Sequence, residues 1–380
     1  MTKGGLLMPN IQDHALAVGE WSLDDRPFDA LDALVLSQLV YLPMEGYLDN
    51  GGSCTVEEAW DFLKANVAPE GFDRFQKKRW RLFECCAGLR RYRHWQLCDY
   101  VNQIDTEREM QFCACTYRLP GGVSCVAFRG TDLTVVGWKE DFNMCYMTVP
   151  SQHEAAEYVR RAALRTQDDL LLCGHSKGGN LSVSAGATAD EATAGRIRRI
   201  YAYDAPGVDE DTLGSPGYAG ISERIESYLP ESSIVGMLLN YHPVYTVVEA
   251  RTVGLLQHDA MTWQVENGAF VTLAGVDMTG RITDEAMHAW LTGMDIEKRR
   301  LLVDTLYNVV DAAQAELVTD LATDWLESAA RMLEAIRGLD AKVKRDVVKM
   351  LHSLFSTGAS EVVRQVVAAL LKMRNEGRGE

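Results

Sequence analysis

The sequence predicts an α/β architecture, a mostly parallel central sheet covered by helices, with a helical segment before it and a helical subdomain after it. Three observations predict it. Between about residues 106 and 282, short β-type apolar runs alternate with helical patterns, the order that yields parallel strands joined by helical crossovers. Residues 10 to 105 instead mix Trp, Leu and Asp at helical spacing, and from about Thr283 the pattern is helical throughout. The expected organisation is therefore 1–105 as a helical segment packed on the core, 106–282 as the α/β core, and 283–380 as a C-terminal helical subdomain.

The elements follow in order. DALDALVLSQLVYL, from Asp29, repeats Leu31, Leu34, Val35, Leu39 and Leu42 at helical spacing. The basic runs Lys77 to Arg81 and Arg90 to Arg93 read as solvated helix faces. MQFCACTYRL and VSCVAF flank Pro120-Gly121-Gly122, a hairpin that opens the central fold. Cys113 and Cys115 share one face of that hairpin and read as core rather than as metal ligands. SQHEAAEYVRRAALRT reads as a helix, DDLLLCG as a strand, and the small-residue stretch after Ser176 as a helix. RIRRIYAYD, RIESYL and YTVVEA read as further strands, and TWQVENGAFVTLAG, turning at Asn267-Gly268, as a late hairpin. DIEKRRLLVDTLYNVVDAAQAELV, DWLESAARMLEAIRGL and AKVKRDVVKMLHSLF form the C-terminal helices, and NEGRGE a frayed end.

Composition narrows the function. A formal charge of -16 and a pI near 5.0 repel phosphate backbones and anionic lipid surfaces, so nucleic acid is not an expected partner. No run of about 18 apolar residues occurs, so no integral membrane segment is expected. The apolar stretch in MTKGGLLMPNIQDHALAVGEW is too short for a secretion signal. The nine cysteines, an odd number lying between Cys54 and Cys173, lack the spacing of a disulfide framework and read as reduced thiols. A cytoplasmic location is the expectation.

The chemistry is concentrated in LLLCGHSKGGNL, from Leu170. A hydroxyl is a weak nucleophile at neutral pH and needs both a base and a geometry that lifts it from the sheet. In G-x-S-x-G, Gly174 and Gly178 leave room for a sharp strand-to-helix turn that exposes Ser176, and the N–H of Lys177 can face a developing oxyanion. The base should follow the serine, which leaves His242, His258, His288 and His352; His258 is best placed, in a loop just after YTVVEA. Asp204 fits the acid, at the end of RIRRIYAYD where the serine emerges, with Glu231 the second choice. A second oxyanion donor is expected from FRGTD, through Gly130 or Thr131, with Arg129 and Asp132 bracing that loop. GSPGYAG and IVGMLL, between Gly207 and Pro243, suit either a mobile flap over an acyl pocket or ordinary core.

These residues carry a family resemblance. PFDALDALVLSQLVYL, VAFRGTD with the downstream DFNM, GHSKGGNL, YDAPG, SIVGMLL and LLQHDAMTW run in order from about residue 27 to 263, and in them the chain resembles the bacterial Mbeg-like proteins. That group, α/β-hydrolase-like, is itself similar to the class 3 lipases. The resemblance implies Ser176 as nucleophile with Thr131 beside it. In class 3 lipases an Asp usually precedes an apolar dipeptide and Pro after the next strand, whereas this chain has Ser233-Ile234-Val235-Gly236 there. Pancreatic-type lipases carry their acid in an Asp-Pro turn after the strand that follows the nucleophile helix, and YDAPG resembles that arrangement, which favours Asp204.

The combined expectation is an α/β-hydrolase fold that cleaves an acyl ester or thioester through an acyl-Ser176 intermediate, with His258 as base and Asp204 as its orienter. Its partner is a small-molecule acyl substrate, lipids included, and neither a metal nor an organic cofactor is called for. The rival is a non-catalytic hydrolase-like scaffold that binds a partner protein through its C-terminal helices, which could equally join copies into a homo-oligomer.

Overall fold

Side-chain caps set where the N-terminal helices begin. Helices α1 (Ile11–Val18) and α2 (Ala30–Leu39) start at Asn10 and Asp29, and after strand β1 (Ser53–Thr55), helices α3 (Val56–Asn66) and α4 (Arg74–Gly88) start at Thr55 and Asp73. Each capping side chain accepts from the third helical N–H, while the third helical side chain reaches back to the cap, so two end donors are satisfied at once. The computed structural model describes residues 9–48, 52–132, 135–144, 147–233, 235–237, 239, 241–252 and 254–276. The C-terminal helices expected after Thr283, with His288 and His352, lie outside the described residues.

Helix α2 is buried on every side rather than along one stripe. Burial of Leu31, Leu34, Leu36 and Leu39 contributes about 1.5–3 kcal/mol each relative to exposure. The buried Asp32 is matched by Arg91, with Nη2 2.5 Å from Oδ2 and Nε 2.9 Å from Oδ1, and by the Tyr92 hydroxyl. The second basic run is therefore not a purely solvated face: Arg91 is interior because a carboxylate and the carbonyls of Trp21, Ser22 and Arg26 receive it. In the first run Lys78 likewise turns to Asp259, at 2.5 Å.

Strand β2 (Gln96–Asp105) precedes the expected hairpin of β3 (Met110–Leu119) and β4 (Val123–Phe128). The hairpin closes with Leu119 opposite Val123, and Gly121 and Gly122 both take positive φ in the turn. Then follow α5 (Val135–Asn143), α6 (Pro150–Arg165), β5 (Asp169–His175), α7 (Lys177–Thr188), α8 (Glu191–Ala194) and β6 (Ile197–Tyr203). After α9 (Glu210–Leu213) and α10 (Pro216–Ile221) come β7 (Ile225–Pro230) and β8 (Tyr245–Val248). The last strands are β9 (Val265–Glu266), β10 (Ala269–Phe270) and β11 (Thr272–Leu273).

Nine strands form one sheet in the order β1-β2-β3-β4-β5-β6-β7-β8-β11. Its centre, β4 through β8, is parallel, while β3 on one flank and β11 on the other run antiparallel. This is the α/β-hydrolase arrangement, with antiparallel edges on a parallel centre. Strands β1 and β2 fall within the segment read as helical; β1 spans three residues and β2 buries no clean alternation, so neither shows a period of two. The late hairpin forms as β9 and β10 through Asn267 and Gly268, both at positive φ, but the chain then leaves it and β11 joins the main sheet.

Alternation along β5 sends its side chains to two layers. Leu171 and Cys173 enter the core shared with α2, while Leu172 lies under Gly186 of α7, so α2 and α7 cover opposite faces. The register pairs Phe128 with Gly174, His175 with Tyr203, and Tyr203 with Tyr228, which brings the carboxyl ends of β4 to β7 to one sheet edge. In an open parallel sheet that edge is where ligands bind.

The chain separates into two compact units, one of Met1–Asp105, Gln111–Gly130 and Pro150–Glu285, the other of Thr106–Met110, Thr131–Val149 and Ala286–Glu380. Within the second unit α5 is tied to Glu109 by Lys139, at 2.6 Å, and by Asn143, at 3.0 Å. No described helix is long and apolar enough to cross a membrane.

Candidate active site

Ser176 occupies the single residue between β5 and α7, at φ 59 and ψ −132, a conformation that costs an L-residue about 1–3 kcal/mol. The surroundings hold it there. Its N–H donates to the Tyr203 carbonyl at 2.9 Å, and its own carbonyl accepts from Gly179 at 2.9 Å. A Cβ on Gly174 would overlap the Gly178 backbone, and one on Gly178 would overlap the Phe128 carbonyl, so the crossing of strand and helix admits only glycine. Serine at a helix start ordinarily caps it, but the Ser176 hydroxyl makes no cap and has no hydrogen-bond partner among the described residues.

His258 ends a 3-10 turn, Gly254–His258, and its Nδ1 lies 2.6 Å from Asp204 Oδ2. The imidazole is 27% exposed and the carboxylate 1%, so one end of the pair is dry and the other reaches the surface. An ionised carboxylate only accepts, which assigns the proton to Nδ1 and leaves Nε2 as the acceptor. Asp204 itself sits at φ 41, its N–H bonded to the Tyr228 carbonyl, and its other oxygen accepts from Ser233 Oγ at 2.5 Å and Gly236 N–H at 3.1 Å. Three donors therefore meet a buried carboxylate, the condition under which burying it is affordable. No hydrogen bond joins His258 to Ser176 among the described residues.

The other expected residues fall as follows. Glu231 accepts from Gln257 Nε2 at 3.2 Å, one residue short of His258. Lys177 starts α7, its buried Nζ donating to Gln111 through the carbonyl at 2.7 Å and Oε1 at 3.0 Å, which anchors the first helical turn. Gly130 abuts the serine: a Cβ there would lie 3.1 Å from Ser176 Cβ and 2.6 Å from the His175 carbonyl. Thr131, in the second unit, donates to Asp141 at 2.5 Å. Arg129 is buried and donates to Asn102 at 2.8 Å. His242 is bonded through Nδ1 to the Tyr218 hydroxyl at 2.8 Å. Of the stretch that suited a flap or core, Met237 is buried with Leu229 and Val247.

Two neighbours were not singled out as site residues. Ser233 stood in view only as the place where an expected acid is missing. His175 is hidden inside the motif as its variable letter; it is buried, with Nε2 2.7 Å from the His258 carbonyl. Burial first, then the His258 imidazole and the Arg79 guanidinium, hold its pKa well below the ordinary histidine range.

One group of potential metal ligands occurs among the described residues: His14, Asp29 and Asp32. Arg26 already pairs with Asp29 at 2.6 Å and Arg91 with Asp32 at 2.5 Å, so both carboxylates have a guanidinium where a metal ion would otherwise sit. The two carboxylates belong to ion pairs of the N-terminal segment, in which His14 takes no part.

The sequence profile described as Mbeg1-like matches residues 87–308, and no curated protein matches the chain. Among solved structures the chain is similar to M37 lipase, at 13% identity over 70% of this chain and 82% of that one, with a TM-score of 0.36. It is also similar to Rhizomucor miehei lipase in its propeptide complex, at 13% identity over 67% of this chain and 76% of that one, with a TM-score of 0.34.

Proposed function

This chain belongs to the Mbeg1-like family, and from that premise we propose that it is a serine hydrolase cleaving an acyl ester or thioester. The observation that carries the reading is the His258–Asp204 pair, closed at 2.6 Å across 54 residues of sequence and standing at the sheet edge from which the strained Ser176 emerges. A buried carboxylate paired with an imidazole that reaches solvent, together with a serine hydroxyl that makes no cap, supports reading that hydroxyl as a nucleophile.

In the proposed reaction His258 Nε2 takes the Ser176 proton as Oγ bonds to the substrate carbonyl carbon. The carbonyl π electrons move to oxygen, and the Lys177 N–H, with that of Gly130, faces that oxyanion. The intermediate collapses, the bond to the alkoxide or thiolate breaks, and His258 returns the proton to the leaving group. Water then repeats the sequence on the acyl-serine, releasing a carboxylic acid and restoring the hydroxyl. Asp204 stays ionised throughout, holding the tautomer and stabilising the imidazolium.

The absence of a hydrogen bond between His258 and Ser176 among the described residues favours one rival, a scaffold that keeps the elbow as architecture, although such bonds often tighten only with substrate. One experiment decides. Intact-mass detection of a fluorophosphonate probe should show one adduct on wild type and none on Ser176→Ala or His258→Ala. Folded wild type that stays unlabelled at high probe excess sinks the hydrolase reading in favour of the scaffold.

A further inference from the structure

His175 has no part in the steps above, yet it touches the residue on which they depend. Its ring lies 4.6 Å from that of His258, centroid to centroid, with 37° between planes, and its Nε2 is 2.7 Å from the His258 carbonyl oxygen. We propose that His175 is a positioning residue for His258, fixing the base's backbone through an Nε2–H···O=C bond and covering one face of its ring. The inference rests on the hydrolase reading.

Three observations support it. Only 4% of His175 is exposed, and its Nδ1 has no partner among the described residues, so the protein bears the cost of burying a polar ring where Phe or Leu would pack without it. The carbonyl contact is what that cost obtains. Next, the carbonyl can only accept, so Nε2 must carry the proton; the depressed pKa keeps the ring neutral while its neighbour takes up charge. After burial, the His258 imidazole and the Arg79 guanidinium disfavour protonation, against the opposing pull of the bond to the His258 carbonyl.

Third, the contact links the two reacting residues through one rigid element. Strand β5 ends in His175 and passes directly to Ser176, so the nucleophile's backbone and the base's backbone are one side chain apart. The loop bearing His258 is thus held at three points: the imidazole by Asp204, the carbonyl by His175, and the next residue, Asp259, by Lys78. A displacement of roughly 1 Å in such a constellation can cost about a hundredfold in rate.

The test separates placement from packing. His175→Phe keeps a ring and removes the donor; His175→Gln restores a donor on a similar reach. With the fluorophosphonate probe, kinact is expected to fall about tenfold or more in His175→Phe with KI unchanged, and to recover in large part in His175→Gln. In the 15N-imidazole spectrum of wild type at neutral pH, His175 is expected as the neutral Nε2–H tautomer. An unaltered kinact in His175→Phe overturns the inference and leaves the hydrolase reading intact. A His175 imidazolium or Nδ1–H tautomer overturns it without reference to activity, which also covers a variant that fails to fold. Wild type that never reacts overturns the hydrolase reading and this inference with it.

Discussion

Asp204 has both carboxylate oxygens occupied, Oδ2 by His258 and Oδ1 by Ser233 and the Gly236 N–H. The two oxygens predict different penalties. Asp204→Asn loses the acceptor that fixes the His258 tautomer, and the probe-labelling rate should drop by roughly 10³–10⁴. Ser233→Ala removes one donor while Gly236 remains, and the loss should stay near tenfold, about 1.4 kcal/mol. Equal losses would mean that Ser233 acts on more than the carboxylate's orientation. At this scale the sequence was informative where chemistry is local: Gly174, Ser176 and Gly178 are diagnostic in one string. It was silent where the contact is distant, because a seryl hydroxyl at 233 and a variable histidine at 175 acquire meaning only when the sheet brings residues 204 and 258 to them.

At the scale of elements, the elbow is held by a three-way backbone crossing. A methyl group on Gly174 would meet the Gly178 carbonyl, and one on Gly178 would meet the end of β4. Gly174→Ala should therefore cost at least about 2 kcal/mol in urea unfolding, through forced separation of β5 from α7 rather than through lost flexibility. A variant of wild-type stability would show that the crossing can relax. Strands β3 to β8 were legible because apolar β-type runs bounded by Gly, Pro and Asp persist in them. The short β1 and the irregularly buried β2 were not, since their place depends on pairing with residues dozens of positions away. The stripe read for α2 names buried residues but runs past the helix end at Leu39 to Leu42, and it is incomplete, because a helix lying flat on the sheet beneath other helices is buried all round.

At the scale of the molecule, two buried histidines link stability to pH. His14 is 3% exposed with neither ring nitrogen partnered among the described residues, and burial lowers its pKa against the opposing pull of Asp29 and Asp32. His175 is lowered further, again chiefly by burial. For a base whose folded pKa lies below its unfolded value of 6.5, the unfolded chain binds the proton first. Stability is therefore unaffected above about pH 6.5 and falls as pH drops through that value toward the folded pKa, by at most about 1.4 kcal/mol per pH unit for each histidine. The exposed carboxylates of Asp25, Glu58 and Asp190 are held below their ordinary values by hydrogen bonds to Ser22, Thr55 and Thr193, so their contribution persists above the usual carboxylate range and is lost only at lower pH. This leaves a window between about pH 4.5 and 6.5 in which these histidines, not these carboxylates, set the slope. Urea midpoints across that window should fall with acidification, and His14→Phe should flatten the fall without removing it, because His175 remains. A slope absent from wild type would show that water or a partner reaches both rings, and would remove burial as the reason His175 stays neutral beside His258.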